Sequence, residues 1–248
     1  HFRKQEWTAI AIDFVIVVIG VLIGIQVANW NSARADVATG RFYLHRIADD
    51  VDSDVAVLGL AIGSWREEVD DTETIARFLE SGELSGASEW ELFQLIYHRA
   101  GWATFLPNRI SYDELVSTGQ IRLIAEPALR RQISDYYAGL RQFAGFYEFQ
   151  TPLRQVVRGK YPTSAQRYMW DTCFSSVRFR QSRKGWVECP QKVDAAVVSQ
   201  TLAELRSTTG LLDTTRYVLS YRLIALDSAE ADLERAKALA AKIRAELS

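Results

Sequence analysis

At 248 residues the chain has room for one domain, or for one domain and an anchor, and its 48% hydrophobic and 24% charged content is that of a folded protein rather than a disordered one. A formal net charge of −2 gives no global electrostatic case for a nucleic-acid partner. With 14 glycines and 5 prolines, long helices suit the composition better than a loop-rich β architecture.

After a short flank, residues 1–6, the apolar excess concentrates in residues 7–30, WTAIAIDFVIVVIGVLIGIQVANW. As a helix this stretch would hold Trp7 and Trp30 about 34 Å apart, close to the spacing of the two interfaces of a bilayer, where Trp is enriched. It is read as a transmembrane helix in contact with the lipid bilayer. The rival is a cleaved signal peptide, with Arg3 and Lys4 as its basic region and Ala33-Arg34-Ala35 as a small-x-small site. The anchor is favoured, given the Trp pair and the polar NWNS exit. Asp13, Val17, Gly20, Gly24, Val27 and Asn31 recur at spacings of four and three, so they share one face. Gly20 and Gly24 form a GxxxG pair that lets two helix backbones approach. A carboxylate facing lipid costs about 2.5–3.5 kcal/mol, so Asp13 should face a partner, water or a proton. The face is therefore read as an oligomerisation seam of Asp13, Gly20, Gly24 and Val27. The plainer accounts are chance glycines in an apolar run and an Asp13 near headgroup level.

Arg3 and Lys4 before the stretch, against Arg34, Arg41 and Arg46 after it, leave only a weak positive-inside bias. Cys173 and Cys189 bracket a turn-like stretch, and a disulfide between them would be worth about 3 kcal/mol in an oxidising compartment. The alternative is a pair of buried cytosolic thiols. Metal is not expected, because His1, His45 and His98 lie far from ligand spacing to either cysteine. The expected topology is N-terminus in the cytoplasm and the remainder outside.

Past a polar joint, residues 31–40, comes a helical domain expected over residues 41–248. Leu44, Ile47, Val51, Val55, Leu58, Ile62, Trp65 and Val69 form an apolar stripe. The acidic residues around it, Asp49, Asp50, Asp52, Asp54, Glu67, Glu68, Asp70 and Asp71, read as a solvated face rather than a calcium loop. SGELSGAS (81–88) predicts a break, with Ser88 and Glu91 as a capping box opening a helix over 89–99. Ser111 with Glu114 predicts a second capping box, Gly119 a stop, and Pro127 the first turn of a helix over 128–149. Its inward side would be Leu129, Ile133, Tyr136 or Tyr137, Leu140 and Phe143.

Residues 151–190 are basic and aromatic. Arg178, Arg180, Arg183 and Lys184 are the candidates for anion binding, with a disulfide-pinned surface loop, paired with the acidic first helix, as the plainer reading. A helix is expected over 192–206, and an Ala-rich one from Asp213 with the stripe Leu226, Ala229, Leu233, Ala236, Ala240, Ile243, Leu247. The fold class is therefore all-α, one N-terminal transmembrane helix followed by a bundle-like extracytoplasmic domain.

DFVIVVIGVLIGIQVANWN, then FYLHRIADDVDSD and ELVSTGQIRLIAEPALRRQISDYY, resembles a family of bacterial single-span membrane proteins known only as a domain of unknown function. Its members read as a carboxylate, a VVIG-type run and an LQINNWNE-like exit. The carboxylate is usually Glu, so Asp13 shortens the reach, and Asn31-Ser32 departs from the usual ending. The resemblance implies an anchor with a helical domain; in a bacterium the expected topology puts the anchor in the inner membrane and the domain in the periplasm. It supplies no activity.

No nucleophile elbow, P-loop or HExxH is present, so an enzyme is not expected, nor a cofactor. The expected role is structural or accessory: a homo-oligomer, or a subunit associated with other membrane proteins in an envelope complex, with no nucleic-acid partner. The alternatives are an extracytoplasmic ligand-sensing module and a proton-coupled single-span unit using Asp13.

Overall fold

The computed structural model describes residues 2–101, 107–147, 152–178, 185–187 and 189–248, leaving out the side chains of residues 2–6, 8, 9 and 141–147. The chain is all-α. Its helices are α1 (Phe2–Ser81), α2 (Glu89–Arg99), α3 (Ile110–Ser117), a 3-10 turn (Gln120–Leu123), α4 (Pro127–Tyr147), α5 (Leu153–Lys160), α6 (Thr163–Thr172), α7 (Ala195–Ser207) and α8 (Leu211–Leu247). Two compact units result: His1–Asp50, Arg109–Ser134 and Lys242–Ser248 in the first, Val51–Asn108 and Asp135–Ala241 in the second.

Residues 31–40, expected as a joint, are helical and lie inside α1. The stretch ANWNSARADVATG carries no proline, and a polar composition does not by itself interrupt backbone i→i−4 bonding. Solvation does change along α1. Residues 10–35 are exposed throughout, whereas from Tyr43 one face is buried. Of the expected stripe every member is buried except half-buried Val55.

In the first unit, Tyr43, Leu44 and Ile47 are buried, as are Tyr112, Leu115, Ile124, Leu129, Ile133 and Ile243. At Gly40 the backbones of α1 and the 3-10 turn approach closely: a Cβ there would stand 2.3 Å from the Leu123 carbonyl oxygen. The Arg41 guanidinium donates to the Leu247 carbonyl at 2.7 Å, fixing the last turn of α8. The start of α3 departs from the expected capping box. Its Ncap is Arg109, without a side-chain cap bond. Instead the Ser111 N–H donates to the Asp50 carboxylate of α1 at 3.1 Å. Glu114 turns to α1 as well, accepting from Tyr43 at 2.9 Å and Arg46 at 2.6 Å. These bonds hold the Glu114 carboxyl below its usual value, Arg46 contributing most and then Tyr43. Gly119, in the left-handed region at φ 68°, ends the segment as expected.

In the second unit the Ser88–Glu91 capping box is formed in full. α2 packs against α5 and α7, around a core that includes Phe93, Tyr97, Tyr161, Met169 and Leu202. Helices α5 and α6 replace the loop expected over part of 151–190. Leu153, Val157, Tyr161, Ala165, Met169 and Cys173, each four residues apart, are all buried. Pro162 divides this run into two helices, since the residue before a proline is pushed to an extended backbone; Tyr161 has ψ 130°. In α4 both Tyr136 and Tyr137 are buried beside Leu140; the Phe143 side chain lies outside the described residues.

Gly40 and Gly63 should respond oppositely to alanine. Gly40→Ala places a methyl against backbone and is expected to destabilise by about 1–3 kcal/mol. Gly63 is an α1 position with nothing within 4 Å of an added Cβ, so Gly63→Ala should raise stability by up to about 1 kcal/mol. Thermal unfolding of the full chain in detergent, followed by circular dichroism, checks both.

Candidate functional site

Three groups of side chains carry the chemistry that the sequence suggests or the fold assembles. The first is the apolar part of α1. Its most apolar 18-residue window has a mean hydropathy of 2.7 and is 0% buried. Trp7, at 73% exposure, and Trp30, at 61%, stand at its two ends. Asp13, Gly20, Gly24 and Val27 are exposed on its surface, and nothing lies within 4 Å of a Cβ built on either glycine. The Arg34 guanidinium stacks over the Trp30 ring at 4.9 Å.

The second group surrounds the cysteines. Cys173 and Cys189 are joined in a disulfide with their Cα atoms 5.3 Å apart. The backbone beside it is held by Val187 N–H to Cys173 carbonyl at 2.8 Å and Ser175 N–H to Gly185 carbonyl at 2.7 Å. From α2, Trp90 donates to the Cys189 carbonyl at 3.0 Å and Gln94 to its sulfur at 2.8 Å. Trp186 stacks on His98 with centroids 3.6 Å apart. Burial, then Arg99 and Arg158, pull the His98 pKa down to about 3, so this imidazole is neutral at ordinary pH. Of the candidate anion-binding residues, Arg178 is exposed; Arg180, Arg183 and Lys184 lie outside the described residues. Two of the described cations of this region have partners other than the acidic face of α1. Lys160 pairs with Glu204 of α7 at 2.9 Å, and Arg158 lies over Tyr97 at 4.7 Å.

The third group was not anticipated. Arg222 of α8 is 2% exposed. One guanidinium nitrogen, Nη2, donates to the carbonyls of Arg99 and Gly101, each at 2.8 Å. These oxygens belong to the carboxyl end of α2, where carbonyls lack intrahelical partners and the helix dipole is negative. The other, Nη1, donates to Thr72 Oγ1 and to the Glu68 carbonyl at 3.3 Å. The Glu68 carboxylate, also buried, lies 3.6 Å from Arg222 and 3.7 Å from Arg99. Arg99 in turn donates to Asp71 at 2.6 Å. Burial pushes the Glu68 carboxyl up, opposed by Arg222 and then Arg99, and pulls Arg222 down, opposed by Glu68. A small cavity adjoins the cluster, walled by Ile75, Leu79, Ile96, Leu153, Val157 and Leu211.

Two acidic residues expected in solvent are thus buried. Besides Glu68, Asp54 is 2% exposed, accepting from the Asn108 N–H at 2.8 Å and the Tyr136 hydroxyl at 3.0 Å. Burial and the Asp54 charge push the Tyr136 hydroxyl well above its usual value. The sequence signal was there in α8. Its buried residues Leu211, Thr215, Val218, Arg222, Ala225, Ala229, Asp232, Ala236, Leu239 and Ile243 alternate at four and three, and this register places Arg222 and Asp232 in the apolar seam. Of the expected stripe, Ala229, Ala236, Ala240 and Ile243 are buried, whereas Leu226 and Leu233 are half-buried, one position from buried Ala225 and Asp232, and Leu247 is half-buried at the helix end.

The charged cluster reads as a structural clamp. Arg222→Met leaves two helix-end carbonyls without their donor and a buried carboxylate with Arg99 as its remaining cation, and should cost about 3–5 kcal/mol. Glu68→Gln keeps the volume and leaves Arg222 its helix-end carbonyls and the nearby Asp71 charge, so its loss should be clearly smaller. Comparative thermal unfolding of both variants decides this; equal losses would reject the clamp.

The profile of a family of unknown function, DUF6090, matches residues 13–148. No curated protein and no solved structure matches the chain.

Proposed function

The chain belongs to that DUF6090 family, and from this premise we propose that it is a membrane-anchored structural or accessory subunit. The anchor is the apolar part of α1, placed in a bacterial inner membrane, with the N-terminus in the cytoplasm and the rest of the chain in the periplasm. Copies associate with one another, or with other subunits of an envelope complex, along Asp13, Gly20, Gly24 and Val27.

The observation that carries the reading is an apolar helix surface left wholly exposed over the most hydrophobic window of the chain. Such a sleeve far exceeds what a soluble monomer leaves in water, and lipid tails would cover it. The Trp residues at its two ends fit the interfaces. In hydrocarbon, association relies on close packing rather than the hydrophobic effect, and the open faces of Gly20 and Gly24 offer that closeness. The Asp13 carboxylate on the same face gains a partner or a water-filled seam when copies meet. The Cys173–Cys189 disulfide supports the outer compartment, since such bonds persist where the environment is oxidising.

Gly20→Ile should disperse the assembly, with the mass of the intact detergent-solubilised particle falling to that of the single chain plus detergent. An oligomer unchanged by this substitution would reject the seam. The anchor is tested separately: carbonate washing should leave the full chain in the membrane pellet, and protease added to spheroplasts should reach the residues beyond α1.

A further inference from the structure

We propose that the surface of the first unit around the exit of the apolar helix binds the phosphate headgroups of anionic phospholipids. The proposal rests on the anchor reading above. Three chain segments converge on this exit. Arg34 and Arg41 belong to α1 itself. Arg122 is brought there by the 3-10 turn, whose Leu123 carbonyl lies against Gly40. Arg244 belongs to the last turn of α8, whose Leu247 carbonyl is held by Arg41 at 2.7 Å. All four cations are exposed. The acidic residues on the same segments are Asp36, half-buried, and Glu126 and Glu246, exposed, so cations outnumber anions.

Heights along α1 fit a bilayer surface. Arg34 stands about 6 Å beyond Trp30 and Arg41 about 16 Å beyond it. The headgroup layer on each side of a bilayer is roughly 5–8 Å deep, and its potential extends a further 8 Å or so at physiological salt. Arg34 therefore falls among the phosphates, and Arg41 and Arg122 stand at the edge of their field. The stacking of Arg34 on Trp30 pins a guanidinium at that level. Its planar donor fork matches the oxygens of a phosphate. Each basic residue near an anionic surface raises association about fivefold.

The test reconstitutes the full-length chain in phosphatidylcholine vesicles containing a trace of spin-labelled phosphatidylglycerol or spin-labelled phosphatidylcholine. The motionally restricted fraction in the electron paramagnetic resonance spectrum measures lipid association at the protein surface. The wild-type chain should prefer phosphatidylglycerol several-fold, with the preference shrinking in high salt. The double variant Arg34→Gln/Arg122→Gln should fall to near parity, while Arg34→Lys/Arg122→Lys should retain most of the preference. Parity in the wild type overturns the proposal, and so does an undiminished preference in a glutamine variant with unchanged helicity. In either case a protein that incorporates into the vesicles leaves the anchor standing. A chain that stays outside the vesicles sinks the anchor and the headgroup proposal together.

Discussion

One helix, α1, meets two solvation problems in succession. Over residues 10–35 it is exposed on every side, and over most of this length it is apolar all round. From Tyr43 onward it buries a single face. The helix bridges this change because its backbone hydrogen bonds are internal and indifferent to what surrounds them. Only the side chains register the change. This is why a polar stretch such as NSARADVATG remains helical: polarity alters the exterior of a helix, and ending one requires a proline, a left-handed residue or a competing cap. Gly82, at φ 81°, supplies that ending.

In the second unit, charge placed inside the core performs a task that apolar packing cannot. The carboxyl end of α2 presents carbonyl oxygens that would be costly to bury unpartnered. Arg222 reaches them from α8, and Glu68 balances its charge from α1. The guanidinium thereby ties three helices with directional bonds, while the surrounding leucines and isoleucines contribute area without direction. Asp54 does the same for the Asn108 backbone and the Tyr136 hydroxyl. Both carboxylates come from the acidic run of α1: Asp54 accepts hydrogen bonds, and Glu68 stands as a counter-ion to Arg222 and Arg99.

The same economy explains the start of α3. Ser111 has the residue type and spacing of a self-contained cap, yet Asp50 takes its amide and Glu114 faces Tyr43 and Arg46. A carboxylate supplied by another helix satisfies the amide as well as a local hydroxyl does, and it fastens the two helices together. Around the disulfide, by contrast, local and tertiary bonds agree. Trp90 and Gln94 of α2 bind the Cys189 carbonyl and sulfur, and Trp186 stacks on an imidazole that burial keeps uncharged.

The amino-acid sequence by itself determined what depends on neighbours along the chain. The all-α class, the apolar stretch between its two Trp residues, the Ser88 capping box, the Gly119 stop, the Pro127 start and most of the α1 stripe follow from periodicity and local backbone preference. Pairing the two cysteines was legible because few residues separate them. What only the tertiary structure decided is where charge goes. An arginine or aspartate on a helix looks the same in sequence whether it meets water or a helix end. The burial of Arg222, Glu68 and Asp54, the places of Arg222 and Asp232 in the α8 seam, and the approach of the 3-10 turn and the last turn of α8 to Gly40 and Arg41 each depend on a partner distant in the chain. The α5–α6 pair was hidden for a related reason: its buried residues recur every four positions, but basic and aromatic neighbours obscure that rhythm until α2 and α7 supply the core against which it is read.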